Sequence, residues 1–110
     1  VSELAEKRCV PCEGGVPPVT RRDAVRLLTQ VDSWVIERGH HLTKSFKFPD
    51  FVQALAFVNR IGEVAEAEAH HPNISLTWGK VGVDIWTHKI DGLTESDFIL
   101  AAKIDALPRA

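Results

Sequence analysis

Apolar and polar residues change period several times along the chain, and each change marks an element. Thr20 stands before Val25, Leu27, Leu28 and Val31, with Asp23 at the third helical position, which predicts a short capped helix. Trp34–Glu37 and Leu42–Phe48 follow as two strands around a turn at Arg38–Gly39. In the second strand Leu42, Phe46 and Phe48 alternate with Thr43, Ser45 and Lys47. Lys44 interrupts that apolar face and suits an edge or an exposed end. Asp50 then caps a long helix from Phe51 to Ala69. Its apolar stripe is Phe51, Ala54, Leu55, Val58, Ile61, Gly62 and Ala65, set against a solvated face of Gln53, Arg60, Glu63 and Glu66. Pro72 closes this helix, because the residue before a proline is driven out of the α region.

The clearest local signal comes next. Ile74–Trp78 and Val81–Ile85 both alternate with period two around Gly79–Lys80, and a glycine first in a two-residue loop favours a type II′ hairpin. Thr94 caps a final helix with Asp97 at its third position; Phe98, Leu100, Ala101, Ile104 and Leu107 supply its apolar contacts. The order αββαββα predicts an α+β fold, an antiparallel sheet with helices on one face.

Residues 1–19 read as a lead-in, and residues 20–110 as a single domain. The lead-in holds Cys9-Val10-Pro11-Cys12 followed by Gly14-Gly15-Val16-Pro17-Pro18. A lone CxxC is half a zinc site, a redox pair or neither. No second pair follows, and the Gly/Pro context is wrong for a strand–helix redox site, so a structural or incidental role is favoured. A formal net charge of -2, with Lys and Arg scattered, argues against a nucleic-acid partner. No apolar run is long enough to span a bilayer, and no signal-peptide core is present. The two cysteines without a wider framework fit a reducing compartment, so the cytoplasm is expected. With Met 0, the start is read as processed or trimmed, which leaves an organelle open.

The hairpin carries the candidate chemistry. With Gly79–Lys80 as the loop, Trp78 faces Val81, Leu76 faces Val83 and Ile74 faces Ile85; extending the ladder sets His71 opposite His88. Directly opposed residues have Cβ atoms roughly 5 Å apart. His70 adjoins them, and Glu66 lies four residues before it on the same helical face. Imidazoles titrate near neutrality, so such a group can hold a base and an acid together. Capping or surface roles are the plain alternative, and a histidine metal site, as in a zinc hydrolase, is the functional one. His40–His41 sits beside a turn with no comparable partner and is assigned to the surface.

The segment Glu66-Ala67-Glu68-Ala69-His70-His71-Pro72, with Trp78, Trp86-Thr87-His88 and Gly92-Leu93-Thr94-Glu95-Ser96-Asp97, resembles the signature of the pterin-4a-carbinolamine dehydratases. Upstream, Trp34 and Phe46-Lys47-Phe48-Pro49-Asp50-Phe51 extend the resemblance, which covers residues 20 to 107. It implies a four-stranded antiparallel sheet with three helices on one side, in a homodimer or homotetramer. It also implies dehydration of 4a-hydroxytetrahydrobiopterin to quinonoid dihydrobiopterin, without metal or cofactor, in support of aromatic amino acid hydroxylases. The catalytic histidines carry over to His70, His71 and His88, and the supporting glutamate to Glu66. Substrate-contacting stretches fall at Ala69, His70 and His71, and at Trp86, Thr87, His88 and Lys89. On this reading His70 or His88 is the general acid, the other is the base, and His71 orients the substrate. The non-catalytic alternative is a binding role, as a transcription-factor dimerisation cofactor or a Rubisco assembly factor.

Overall fold

The computed structural model describes residues 3–9 and 18–109. Their elements are α1 (Glu3–Glu6), α2 (Arg21–Leu28), β1 (Val35–Glu37), β2 (His41–Lys47), α3 (Phe51–Glu68), β3 (Asn73–Thr77), β4 (Lys80–Ile85), a 3₁₀ turn (His88–Ile90) and α4 (Glu95–Asp105). The four strands form one antiparallel sheet in the order β1-β2-β4-β3. Helices gather on its apolar face, α3 and α4 against the strands and α2 against α4. Leu42, Phe46, Val81, Val83 and Ile85 from that face pack with Phe57, Ile61, Phe98 and Ile104, all buried.

Local chemistry sets the element ends. The Thr20 hydroxyl accepts from the Asp23 N–H at 3.2 Å, and the Asp50 carboxylate accepts from the Gln53 N–H at 2.8 Å. At α4, Thr94 and Asp97 form a reciprocal capping box. Arg38 and Gly39 both take left-handed backbone, φ 53 and 65, and the His40 N–H reaches the Glu37 carbonyl at 2.8 Å. That is a type I′ turn, whose twist matches the strands it joins.

Four expectations are corrected. Lys44 is on neither an edge nor an exposed end: it lies on the core face of the interior strand β2, its side chain 7% exposed. Asp105 at the end of α4 takes its ammonium at 2.8 Å, a partner too distant in sequence for a strand pattern to show. The buried side of α3 is Ala54, Phe57, Ile61 and Ala65, whereas Phe51 and Leu55 are exposed. Phe57 is drawn inward by ring contacts with Phe46 at 4.9 Å and Phe48 at 5.1 Å, which rotates the buried stripe around the helix. Ala69, left-handed at φ 52, terminates α3 before Pro72 acts. Finally, the β3–β4 loop is Trp78–Gly79 rather than Gly79–Lys80: Thr77 pairs with Lys80, Leu76 with Val81 and Ile74 with Val83. Neither Trp78 nor Gly79 has positive φ, so the turn is not type II′. The partner strand β2 fixes this register, since Lys47 also pairs with Lys80 and the Phe48 N–H donates to the Gly79 carbonyl at 2.9 Å.

Upstream, α1 packs on α4, and Leu4 is 2% exposed within the core. Lys103 donates to the Ala5 carbonyl at 2.8 Å, and the Cys9 N–H donates to Glu68 at 2.8 Å. These contacts hold residues 3–9 against the two helices. Cys12 and the Gly14–Pro17 part of the lead-in lie outside the described residues.

Candidate active site

The end of α3 aims His70. With Ala69 left-handed, the Ala69 N–H returns to the Glu66 carbonyl at 3.3 Å and the His70 N–H to the Ala65 carbonyl at 3.1 Å, the paired bonds of a Schellman cap. The chain therefore leaves the helix abruptly, and His70 no longer shares a face with Glu66. Its ring, 13% exposed, instead donates from Nε2 to Asp97 Oδ1 at 2.6 Å, and Asp97 is fully buried. Glu66 serves His71, whose Nε2 donates to Glu66 Oε2 at 2.5 Å in an open setting. The expected Glu66–His70 pair is thus replaced by two pairs, Asp97–His70 and Glu66–His71.

Asp97 has a second attachment. Its Oδ2 accepts from the Thr87 hydroxyl at 2.8 Å and from the Thr94 N–H at 2.8 Å, while Thr87 and Thr94 share a hydroxyl contact at 2.9 Å. Both oxygens of this buried carboxylate are supplied with donors, as burial of a charge requires. One side chain therefore ties the helix end that carries His70 to the strand end that carries His88. Donation to a carboxylate also fixes the His70 proton on Nε2, which leaves Nδ1 as the acceptor nitrogen of the ring.

His88 reaches the site by another route than the ladder. The observed register extrapolates His71 to a position opposite Trp86, and His88 begins the 3₁₀ turn beyond. Thr87 and Gly92 form an isolated bridge, with N–H···O distances of 2.8 and 3.4 Å, that closes the loop bearing His88 and Lys89. Thr87 is buried, Trp86 half-buried, and Ala69, His71, His88 and Lys89 are exposed. The His88 ring lies on Trp86, centroids 4.4 Å apart. His40–His41 is not an isolated surface pair either: His40 contacts Asp91, His41 and Trp86. The signal for Asp97 in the sequence was its place in the capping box. A box occupies one carboxylate oxygen, and nothing local shows where the other goes.

One apolar concavity of the surface lies apart from the candidate chemistry. A cavity of about 480 Å³ is lined by Pro18, Val19, Arg21, Ala24, Val25, Ile36, Gly39 and Leu93, none of them a candidate site residue. Its apolar wall holds no acid–base pair, so the candidate site is defined instead by the link from His70 through Asp97 to Thr87, the residue before His88. Among the described residues, no group of three or more His, Cys, Asp or Glu is arranged to hold a metal ion. No described helix is long and apolar enough to cross a membrane. Cys9, half-buried, donates its thiol to the Ser96 carbonyl at 3.5 Å; desolvation, then Glu68 and Asp97, push its pKa up to about 12 against the opposing effect of Lys103. Burial thus favours the protonated thiol at neutral pH.

Comparison with known proteins agrees with this architecture. Residues 17–107 match the family described as pterin 4 alpha carbinolamine dehydratase. A protein of Rickettsia bellii, provisionally named pterin-4-alpha-carbinolamine dehydratase, is 54% identical over 105 residues, covering 94% of this chain and 93% of its own. One of Rubrobacter xylanophilus with the same provisional name is 55% identical over 107 residues, 97% of this chain and 100% of its own. Among solved structures, a transcriptional coactivator/pterin dehydratase from Brucella melitensis superposes with TM-score 0.77 at 33% identity, over 82% of this chain and 97% of that one. A pterin dehydratase-like protein identified as a RuBisCO assembly factor in the alpha-carboxysome superposes with TM-score 0.59 at 26% identity, over 68% and 88%.

Proposed function

This chain belongs to the pterin 4 alpha carbinolamine dehydratase family, and from that premise we propose that it dehydrates 4a-hydroxytetrahydrobiopterin to quinonoid dihydrobiopterin and water. The observation that carries the reading is Asp97, which joins the His70 and His88 segments through His70 Nε2 and the Thr87 hydroxyl. In the proposed step, His88 as imidazolium gives a proton to the C4a hydroxyl, the C4a–O bond breaks and water leaves. The N5 lone pair forms the new C4a=N5 double bond, and the N5 proton passes to Nδ1 of His70, its bonding pair staying on N5 as the lone pair of the product. Asp97 holds the His70 ring and compensates the charge it acquires, the task of the aspartate in a hydrolase triad. His71, held by Glu66, orients the pterin, and the backbone of Ala69 and of Trp86 to Lys89 borders it. The step exchanges protons only, and the ring nitrogen's lone pair assists expulsion of the hydroxyl.

The test follows the decay of chemically generated 4a-hydroxytetrahydropterin. The chain is expected to accelerate it, and His70→Ala and His88→Ala each to lose about 10²–10⁴-fold in turnover with the fold retained. Wild-type turnover in both variants removes the assignment. A folded chain that leaves the decay at its buffer rate belongs instead with the non-catalytic, binding-type relatives.

The remaining parts of the proposal concern setting. A pterin-dependent aromatic amino acid hydroxylase would supply the carbinolamine in the cytoplasm. Self-association into a dimer or tetramer is supported by Phe51, Val52 and Leu55, 43%, 75% and 41% exposed on one side of α3. A monomer mass in sedimentation would remove that part.

A further inference from the structure

The type I′ turn at Arg38–Gly39 presents His40 to the loop that bears His88. His40 Nε2 donates to Asp91 Oδ1 at 2.6 Å. Asp91 ends the 3₁₀ turn in left-handed backbone, φ 51, with its N–H on the His88 carbonyl at 3.2 Å. From the other side, the Trp86 ring lies 5.3 Å from His40, 5.9 Å from His41 and 4.4 Å from His88. One imidazole therefore reaches His88 twice, through the backbone of the loop and through the indole on which His88 rests. His40 is itself fixed: its Nδ1 lies 3.1 Å from Nδ1 of His41, and the two nitrogens share one proton. With Nε2–H committed to Asp91, either His41 donates to a neutral His40 or a charged His40 donates to His41. Both arrangements immobilise the two rings.

As a stabilising contact this pair counts for little. Asp91 is 84% exposed, and ion pairs in water contribute slightly. Placement is another matter, because a displacement of about 1 Å by a residue away from the chemistry can reduce turnover about 10²-fold.

We propose that His40, clamped to Asp91 and packed on Trp86, is a positioning residue that sets the orientation of the His88 ring. The proposal rests on the dehydratase reading for its catalytic consequence, and its geometric part has a separate readout. In the wild-type chain the indole current of Trp86 is expected to shift the His88 ring resonances. In His40→Ala they move towards the values of an unstructured histidine, and kcat falls about 10-fold with KM less affected. His40→Gln, whose amide can still donate to Asp91, recovers most of both. An unmoved His88 resonance in His40→Ala overturns the clamp. A moved resonance with wild-type kcat overturns its role in turnover. Should the wild-type chain fail to accelerate the dehydration, the dehydratase reading falls, and the resonance alone decides whether His40 orients His88.

Discussion

Asp97 divides its two oxygens between the cap of α4 and the ring of His70. Oδ2 closes the capping box of α4 and holds Thr87, while Oδ1 faces His70. Replacement by asparagine separates these duties. In Asp97→Asn an amide oxygen can still cap the helix, so the loss of stability should stay within about 1–3 kcal/mol. In the proposed step, the positive charge that His70 gains on taking a proton then has no carboxylate opposite it, and turnover should fall by about 10²-fold or more. Denaturant titration beside the carbinolamine assay checks both halves; unchanged turnover would leave Asp97 a cap alone. The sequence shows His70, His71 and His88 as candidates, yet their partners are legible only where they are local. Glu66 meets a histidine from the same stretch of chain, although His71 rather than His70, because the left-handed Ala69 redirects the chain by one residue. Asp97 comes from 27 residues beyond His70, and Asp91 from 51 beyond His40, and no periodic pattern carries that information.

At the scale of elements, caps and turns are the most legible features because their physics is local. Thr20, Asp50, Thr94 and Arg38–Gly39 all act where the residues indicate. The β3–β4 register shows the limit. A slip of one residue would turn the apolar set to solvent, but a slip of two preserves both faces, so alternation cannot distinguish Gly79–Lys80 from Trp78–Gly79 as the loop. The neighbouring strand decides it. Lys44 marks a second limit, since its burial depends on Asp105 in α4. That carboxylate also accepts from the Trp34 indole at 3.0 Å and from the Asp32 N–H at 2.9 Å. It thereby pins β2, the approach to β1 and the end of α4 at one point. Asp105→Ala should destabilise the chain by about 3–5 kcal/mol, because it leaves a buried ammonium with only the Asp32 carbonyl at 2.5 Å and that residue's exposed carboxylate at 4.0 Å. Converting Lys44 to methionine in the same chain should recover part of that loss. A single variant within about 0.5 kcal/mol of wild type in urea unfolding would show that solvent reaches Lys44.

Over the whole molecule, the contacts of residues 3–9 make the N-terminal stretch a participant in the fold, with a definite pH signature. Leu4 lies in the core, and Cys9 is held between Glu68 of α3 and Ser96 of α4. Desolvation and the adjacent carboxylates raise the folded-state thiol to about 12 from an ordinary 9.0. The folded chain thus keeps its proton where the unfolded chain releases it. Below about pH 9 both states hold the proton and the contribution to stability is complete. As pH rises from about 9 through about 12 the unfolded state ionises first and the contribution is lost. The chain contains no tyrosine, so fewer groups obscure this range. Urea midpoints measured between pH 8 and 11 should fall more steeply for wild type than for Cys9→Ala, with lysine titration common to both. Parallel slopes would mean that the thiol ionises freely, and hence that the N-terminal stretch does not stay packed against α3 and α4 in solution.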